Sequence, residues 1–244
     1  MLFRSTIGSS GDGTLTISSG GLVSSASSVI LGNSGTGFGT ATVTGTNSRW
    51  NVSAGQTIGS SGLGVMTVSS GGQVSSSAAD LGLNAGSEGR VTITGVGSRW
   101  TLGSQLTAGG SGTGDLTISA GGEVAAGDII LGFSASGIGV ATITGADSKL
   151  TSNGNLTVAT NGTGTLNVAS GGVVDVVLNL SVNDPAGTPV GTVNLNGGSI
   201  FVAGAFTNNG VFNFGDGLLR GLHRKHGAAV AVAIAVGHEA APDI

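Results

Sequence analysis

A Thr-centred segment with aliphatic residues on either side returns along the chain as Leu15-Thr16-Ile17, Ala41-Thr42-Val43, Met66-Thr67-Val68, Val91-Thr92-Ile93, Leu116-Thr117-Ile118 and Ala141-Thr142-Ile143, then as Leu166-Asn167-Val168. The step from Thr16 to Thr42 is longer by a single residue than those that follow, which are all equal. Alternation of apolar and polar positions is the mark of a strand with one buried face. Two further short apolar segments follow in each interval, around Leu22-Val23 and Val29-Leu31 and, one interval later, around Trp50-Val52 and Thr57-Ile58. Each interval therefore reads as one turn of a coil with three short strands joined by Gly and Ser corners. Equivalent strands of successive turns stack about 4.8 Å apart in parallel sheets, with aliphatic columns inside. The predicted fold is all-β, a parallel β-helix (β-solenoid) of about 25 residues per three-stranded turn.

The pattern is also doubled. Glycine pairs fall at Gly20-Gly21, Gly71-Gly72, Gly121-Gly122 and Gly171-Gly172, and a second marker recurs as Ser48-Arg49-Trp50, Ser98-Arg99-Trp100 and Ser148-Lys149-Leu150. This divides a repeat domain, residues 1–216, into units at about 6–56, 57–105 and 106–155, and an irregular one at 156–216. The opening Thr6-Ile7-Gly8-Ser9-Ser10-Gly11 aligns with Thr57-Ile58-Gly59-Ser60-Ser61-Gly62, so the chain is expected to be a piece of a longer solenoid. Asp184 to Pro189 reads as an inserted loop, followed by irregular turns around Val193-Leu195, Ile200-Val202 and Val211-Phe214. Residues 217–244 lose the repeat and hold His223, His226 and His238. They are expected to cap the open end, to be disordered, or to be an out-of-frame or recombined tail.

Composition narrows the function classes. The chain has 244 residues, 49 of them glycine, and only 8% are charged, so without a period it would read as a disordered linker. The apolar 39% sits instead at regular positions. A net charge of −4, with Arg4, Arg49, Arg90, Arg99 and Lys149 as the basic residues before position 217, gives no phosphate-tracking surface and argues against a nucleic-acid partner. The absence of cysteine excludes disulfides and thiolate chemistry. No apolar run is long enough for a membrane-spanning helix, and Met1-Leu2-Phe3-Arg4-Ser5 lacks the apolar core of a signal peptide.

The cycle Gly13-Thr14-Leu15-Thr16-Ile17-Ser18-Ser19-Gly20-Gly21, then Leu31-Gly32, Ala41-Thr42-Val43-Thr44-Gly45 and Ser48-Arg49-Trp50, resembles the autotransporter and PEP-CTERM-associated repeat of bacterial surface proteins over about residues 6–175. The resemblance implies a right-handed β-helix serving as a secreted passenger domain, carried to the cell surface by an outer-membrane β-barrel. The alternating strands of such a barrel are not found in this chain. The expected role is a non-enzymatic structural or adhesive region, outside the cell or on its surface. Expected partners are host, matrix or cell-surface glycans or proteins, and the open solenoid ends favour self-association.

Candidate chemistry is sparse. The carboxylates Asp12, Asp80, Glu88, Asp115, Glu123, Asp128, Asp147 and Asp175 occupy mostly different repeat positions and read as scattered surface charges. No catalytic, cofactor-binding or metal-binding residue is assigned on this basis, although a polysaccharide-processing β-helix enzyme stands as an alternative. The corners Gly11/Gly13, Gly62/Gly64, Gly112/Gly114 and Gly162/Gly164 lack the Lys-Ser or Lys-Thr of a phosphate-binding loop. His223 and His226 are spaced to share a helix face, but with no third ligand beside them a solvated basic tail is the simpler reading. Arg49, Arg99 and Lys149 form a column two turns apart, pointing outward beside inward Trp50 and Trp100. Core packing is expected of the indoles, with carbohydrate stacking as the other use. The outward row Thr16, Thr42, Thr67, Thr92, Thr117, Thr142 and Asn167, widened by Thr44, Thr94 and Thr144, supplies a last alternative, an ice-binding solenoid.

Overall fold

A computed structural model describes residues 5–183, 190–225 and 228–235; for residues 222–225 and 228–235 it describes the backbone alone. Among the described residues there is no helix, and strands joined by turns and short links wind into a β-solenoid of about 8 turns. A representative turn runs Asp12–Ile17, Leu22–Ser25, Val29–Leu31, and the next runs Phe38–Thr44, Arg49–Val52, Gln56–Ile58. The first strands of successive turns stack in parallel, as do the second and the third. The first stack is in register at Thr16, Thr42, Thr67, Thr92, Thr117, Thr142, Asn167, Asn194 and Asn213. Every aliphatic residue flanking Thr42 through Asn167 in that series is buried, and the central residues are half-exposed. The predicted alternation therefore holds through the body of the coil. The end turns are less well filled, with Leu15 and Val23 partly buried at the start and Phe212 and Phe214 at the other end.

The doubling of the repeat has a geometric cause in the corner between the first and second strands. One version of that corner is Ser69-Ser70-Gly71-Gly72, closed by the Gly72 N–H donating to the Ser69 carbonyl at 2.9 Å. Ser70 (φ 53°) and Gly71 (φ 85°) are both left-handed there, the signature of a type I′ turn. The second glycine is needed for space, since a Cβ on Gly72 would run into the Val43 carbonyl of the preceding turn. The other version is Gly95-Val96-Gly97-Ser98, closed by Ser98 N–H to the Gly95 carbonyl at 3.1 Å, with a left-handed third residue as in a type II turn. Asn47, Gly97 and Asp147 fill that third position, the residue types that best tolerate it.

The two corners differ in length by a single residue, and the register records the difference. The step from Arg49 to its partner Gln73 is shorter than the step from Gln73 to its next partner, Arg99. In the third stack the same alternation appears and the contrast widens, with a short step from Thr57 to Asp80 and a long one from Asp80 to Thr107. Two unlike turns therefore make the doubled unit, while the first stack keeps an even step from Thr42 to Asn167.

The corners are also tied to each other. The buried Ser48, Ser98 and Ser148 accept hydrogen bonds through Oγ from the N–H groups of Gly20 (3.1 Å), Gly71 (3.0 Å) and Gly121 (3.1 Å) of the preceding turns. The serine marker of one turn thus satisfies the glycine marker of the turn before, a backbone donor that the tight turn leaves without a carbonyl partner.

Beyond Val182 the strands lengthen. Gly191–Val202 and Val211–Lys225 each run through the first and second stacks, with register irregularities where the corner was. Pairing continues from Val202 to Gly221, so the coil extends past the boundary expected at residue 216. Ala228–Ala235 then pairs antiparallel with Leu218–Lys225 along that strand's other edge. His223 lies in a strand, so the helix face it was to share with His226 does not form. His226, His238 and the loop from Asp184 to Pro189 lie outside the described residues.

Candidate functional site

The outward row of the second stack reads Leu22, Arg49, Gln73, Arg99, Glu123, Lys149, Val173 and Ser199. The expected basic column is therefore interleaved with the side chains of the alternate turns. Glu123 lies between Arg99 and Lys149 and takes the Arg99 guanidinium, through Nε at 3.0 Å and through Nη2. Lys149 pairs with Asp175 on the next turn, 3.2 Å from Oδ2. Among the described residues Arg49 has no carboxylate at ion-pair distance, and its neighbour on the next rung is the uncharged Gln73.

A shallow groove of about 240 Å³ lies along this part of the sheet. One wall is the row Arg49, Gln73, Arg99, and the other is the parallel row Asn51, Ser75, Thr101. Ser75 Oγ donates to Asn51 Oδ1 at 3.2 Å, which leaves the Asn51 amide N–H donors free to serve a ligand. All six side chains carry polar groups, and none of them is acidic.

Beneath the groove the indoles of Trp50 and Trp100 point inward and are 1% and 0% exposed, which removes them from any outer stacking surface. Trp100 Nε1 donates to Oε1 of Gln56 at 3.2 Å. Gln56, itself 1% exposed, sits in the third strand of an earlier turn at a position filled by Val29, Ala79 and Leu106 in other turns. Small Ala79 and Ser76 occupy the intervening turn. Trp50 Nε1, Gln56 Nε2 and Ser76 Oγ have no hydrogen-bond partner. A buried glutamine in an aliphatic column was not foreseen. Its one visible signal is its parity with Ile58, two positions on.

The carboxylates are less scattered than alignment of the doubled units suggests. Arg90 and Asp115 are register partners on adjacent rungs, and Glu88 bonds to Arg90 along its own strand. Burial pushes the Asp115 carboxyl above its usual range, Glu88 adds to this, and Arg90 opposes it. Asp80 is also raised by burial, against a hydrogen bond from the Thr107 side chain. Arg90 thus lies between two carboxylates, Glu88 on its own strand and Asp115 on the next rung. Among the described residues no group of three or more His, Cys, Asp or Glu is close enough to hold a metal ion.

The hydroxyl row lies outward as expected, and part of the surface is already bonded to itself. Ser69 Oγ donates to Thr44 Oγ1 at 2.9 Å and Ser119 Oγ to Thr94 Oγ1 at 3.0 Å. From Thr142 onward the row becomes an amide ladder: Asn167 donates to Thr142, Asn194 to Asn167 and Asn213 to Asn194, at 3.2, 2.8 and 2.7 Å. A second ladder climbs a corner, with Asn155 bonded to Asp128 and Asn179 to Asn155. Stacked amides of this kind join identical positions of successive parallel rungs. No family model, curated protein or solved structure matches this chain.

Proposed function

We propose that this chain is a non-enzymatic structural or adhesive stretch of a bacterial surface or secreted protein, of the autotransporter-passenger kind its repeat resembles. The observation that carries the reading is the lattice itself: about 8 turns roughly 25 residues apart, each holding aliphatic residues inward and short polar residues outward. Such a body presents the same surface over and over along one axis, which suits display and multivalent contact. Two corner types tied together by serine hydrogen bonds add stiffness along that axis.

Protease shaving of intact cells that express the full-length gene product tests the reading. Loss of the solenoid from cells whose cytoplasmic markers stay intact is the expected result, and protection of the chain until lysis overturns it. Two alternatives have their own assays. Release of reducing ends from a polysaccharide, lost in Asp115→Asn, would establish the enzyme that the Glu88, Arg90, Asp115 group suggests. Thermal hysteresis lost on Thr92→Val and Thr117→Val would establish ice binding through the hydroxyl row. Charged Arg90 and Asp115 two positions before those threonines, and Glu88 beyond, interrupt the flat hydroxyl surface such a function requires.

A further inference from the structure

We propose that the groove between Arg49 and Arg99 binds a carboxylate-bearing polysaccharide, an extended polyuronate lying along the solenoid axis. This rests on the surface reading above and gives it a partner.

Arg49, Gln73 and Arg99 occupy three successive rungs of one outward row. Their rungs are about 4.8 Å apart, so the two arginine positions are separated by about 9.6 Å with an amide between them. The indoles next to them are buried, so the guanidiniums are the outward groups. Glu123 holds Arg99 from the side away from the groove, using Nε–H and one Nη2–H. A guanidinium has five donors, and the other three remain for a ligand. Arg49 has all of its charge to offer among the described residues.

Charge and shape select the ligand. A guanidinium fork matches a planar carboxylate with two parallel hydrogen bonds. Two such forks on alternate rungs fit a ribbon-like uronan, in which every second sugar turns its carboxylate to the same side. Between them Gln73, Asn51, Ser75 and Thr101 offer donors and acceptors suited to sugar hydroxyls. Single-stranded nucleic acid is the competing polyanion, and it is disfavoured. Binding of that kind uses aromatic platforms and a long basic track, whereas here both tryptophans face inward and the chain has a net charge of −4.

The test is affinity electrophoresis of the full chain in gels containing polygalacturonate, with fully methyl-esterified pectin and single-stranded DNA as separate arms. Retardation by polygalacturonate alone is expected. Arg49→Gln and Arg99→Gln should each weaken it at least about tenfold, the scale of losing a charge-assisted hydrogen bond. Lys149→Gln, two rungs beyond and paired with Asp175, should leave it unchanged. Four results overturn the proposal: no retardation, equal retardation by the esterified polymer, retardation by DNA, or retention of binding in the Arg49→Gln, Arg99→Gln double variant. The esterified arm uses the unaltered protein, so it does not depend on how the variants fold. A chain shaved from the cell surface that ignores polygalacturonate removes this proposal and leaves the surface reading intact. A chain protected until lysis removes the surface reading itself, whatever the gel shows.

Discussion

Ser48-Arg49-Trp50 and Ser98-Arg99-Trp100 are the same tripeptide at the same corner of alternate turns, and their surroundings differ at every residue. Ser48 accepts from an exposed glycine N–H, Ser98 from a half-buried one, and Ser98 also donates to the Thr94 carbonyl at 2.7 Å. Arg49 faces Gln73 on the next rung, while Arg99 faces and binds Glu123. Trp100 reaches Gln56, while the Trp50 N–H has no partner. In a solenoid the repeat sets the direction of a side chain, and the neighbouring rung sets its chemistry. Equal sequence therefore gives equal packing but unequal polar contacts, and the two can be measured separately.

Tryptophan deletion should cost most, and by a similar amount in both copies. Trp50→Ala and Trp100→Ala should each cost about 3–5 kcal/mol in urea denaturation, because each empties a fully enclosed indole site in the aliphatic column. Costs that differ by more than about 2 kcal/mol would show that the two cores are not equivalent in packing, a spread that cavity collapse alone can produce. Next comes the serine. Ser98→Ala and Ser148→Ala should lose about 1–3 kcal/mol by leaving a glycine N–H without an acceptor. Ser48→Ala should lose less, since Gly20 is exposed to water.

Smaller substitutions separate the copies further. Trp100→Phe takes from Gln56 its hydrogen-bond donor, whereas Trp50→Phe deletes an N–H that has no partner, so the first should be about 1 kcal/mol more destabilising than the second. The ion pair should matter least to stability: Glu123→Gln should shift it by no more than about 1 kcal/mol, since both side chains are exposed. Its mirror image, Gln73→Glu, gives Arg49 the neighbour that Arg99 has. That change should leave the denaturation midpoint nearly unmoved and abolish retardation by polygalacturonate.

A pH experiment distinguishes the charged group on the first stack from these pairs. The folded-state pKa of Asp115 lies above its ordinary value, so the folded chain holds that proton more tightly than the unfolded one. Stability from this group is present at pH below the ordinary value of 3.8 and is lost as pH rises through the raised one. Asp115→Asn should flatten that part of the stability profile, as should Asp80→Asn for the same reason.

Strand positions, inward and outward parity, and the burial of Trp50 and Trp100 were all legible in the sequence. They follow from period-2 alternation within short segments, a local property that repeats at every turn. The glycines of the corners were legible too, because left-handed backbone and close approach favour glycine, whereas the left-handed Ser70 and Ala120 beside them carry no such mark. Which side chains meet across rungs became visible only in the stacked coil. Aligning the chain by its doubled unit compared Glu123 with Gln73 and missed that its register partners are Arg99 and Lys149. The same alignment dispersed Glu88, Arg90 and Asp115, and only stacking brings them together.

Gln56 and the C-terminal strands show the same division. Nothing local marks Gln56 as buried, because its place depends on the small Ser76 and Ala79 beside it and on an indole from a later turn. The strand Val211–Lys225 has lost the repeat markers, yet it stays in the coil because its backbone pairs with Gly191–Val202. Backbone hydrogen bonding between turns is indifferent to side-chain identity, so a coil can continue where its sequence signature has ended.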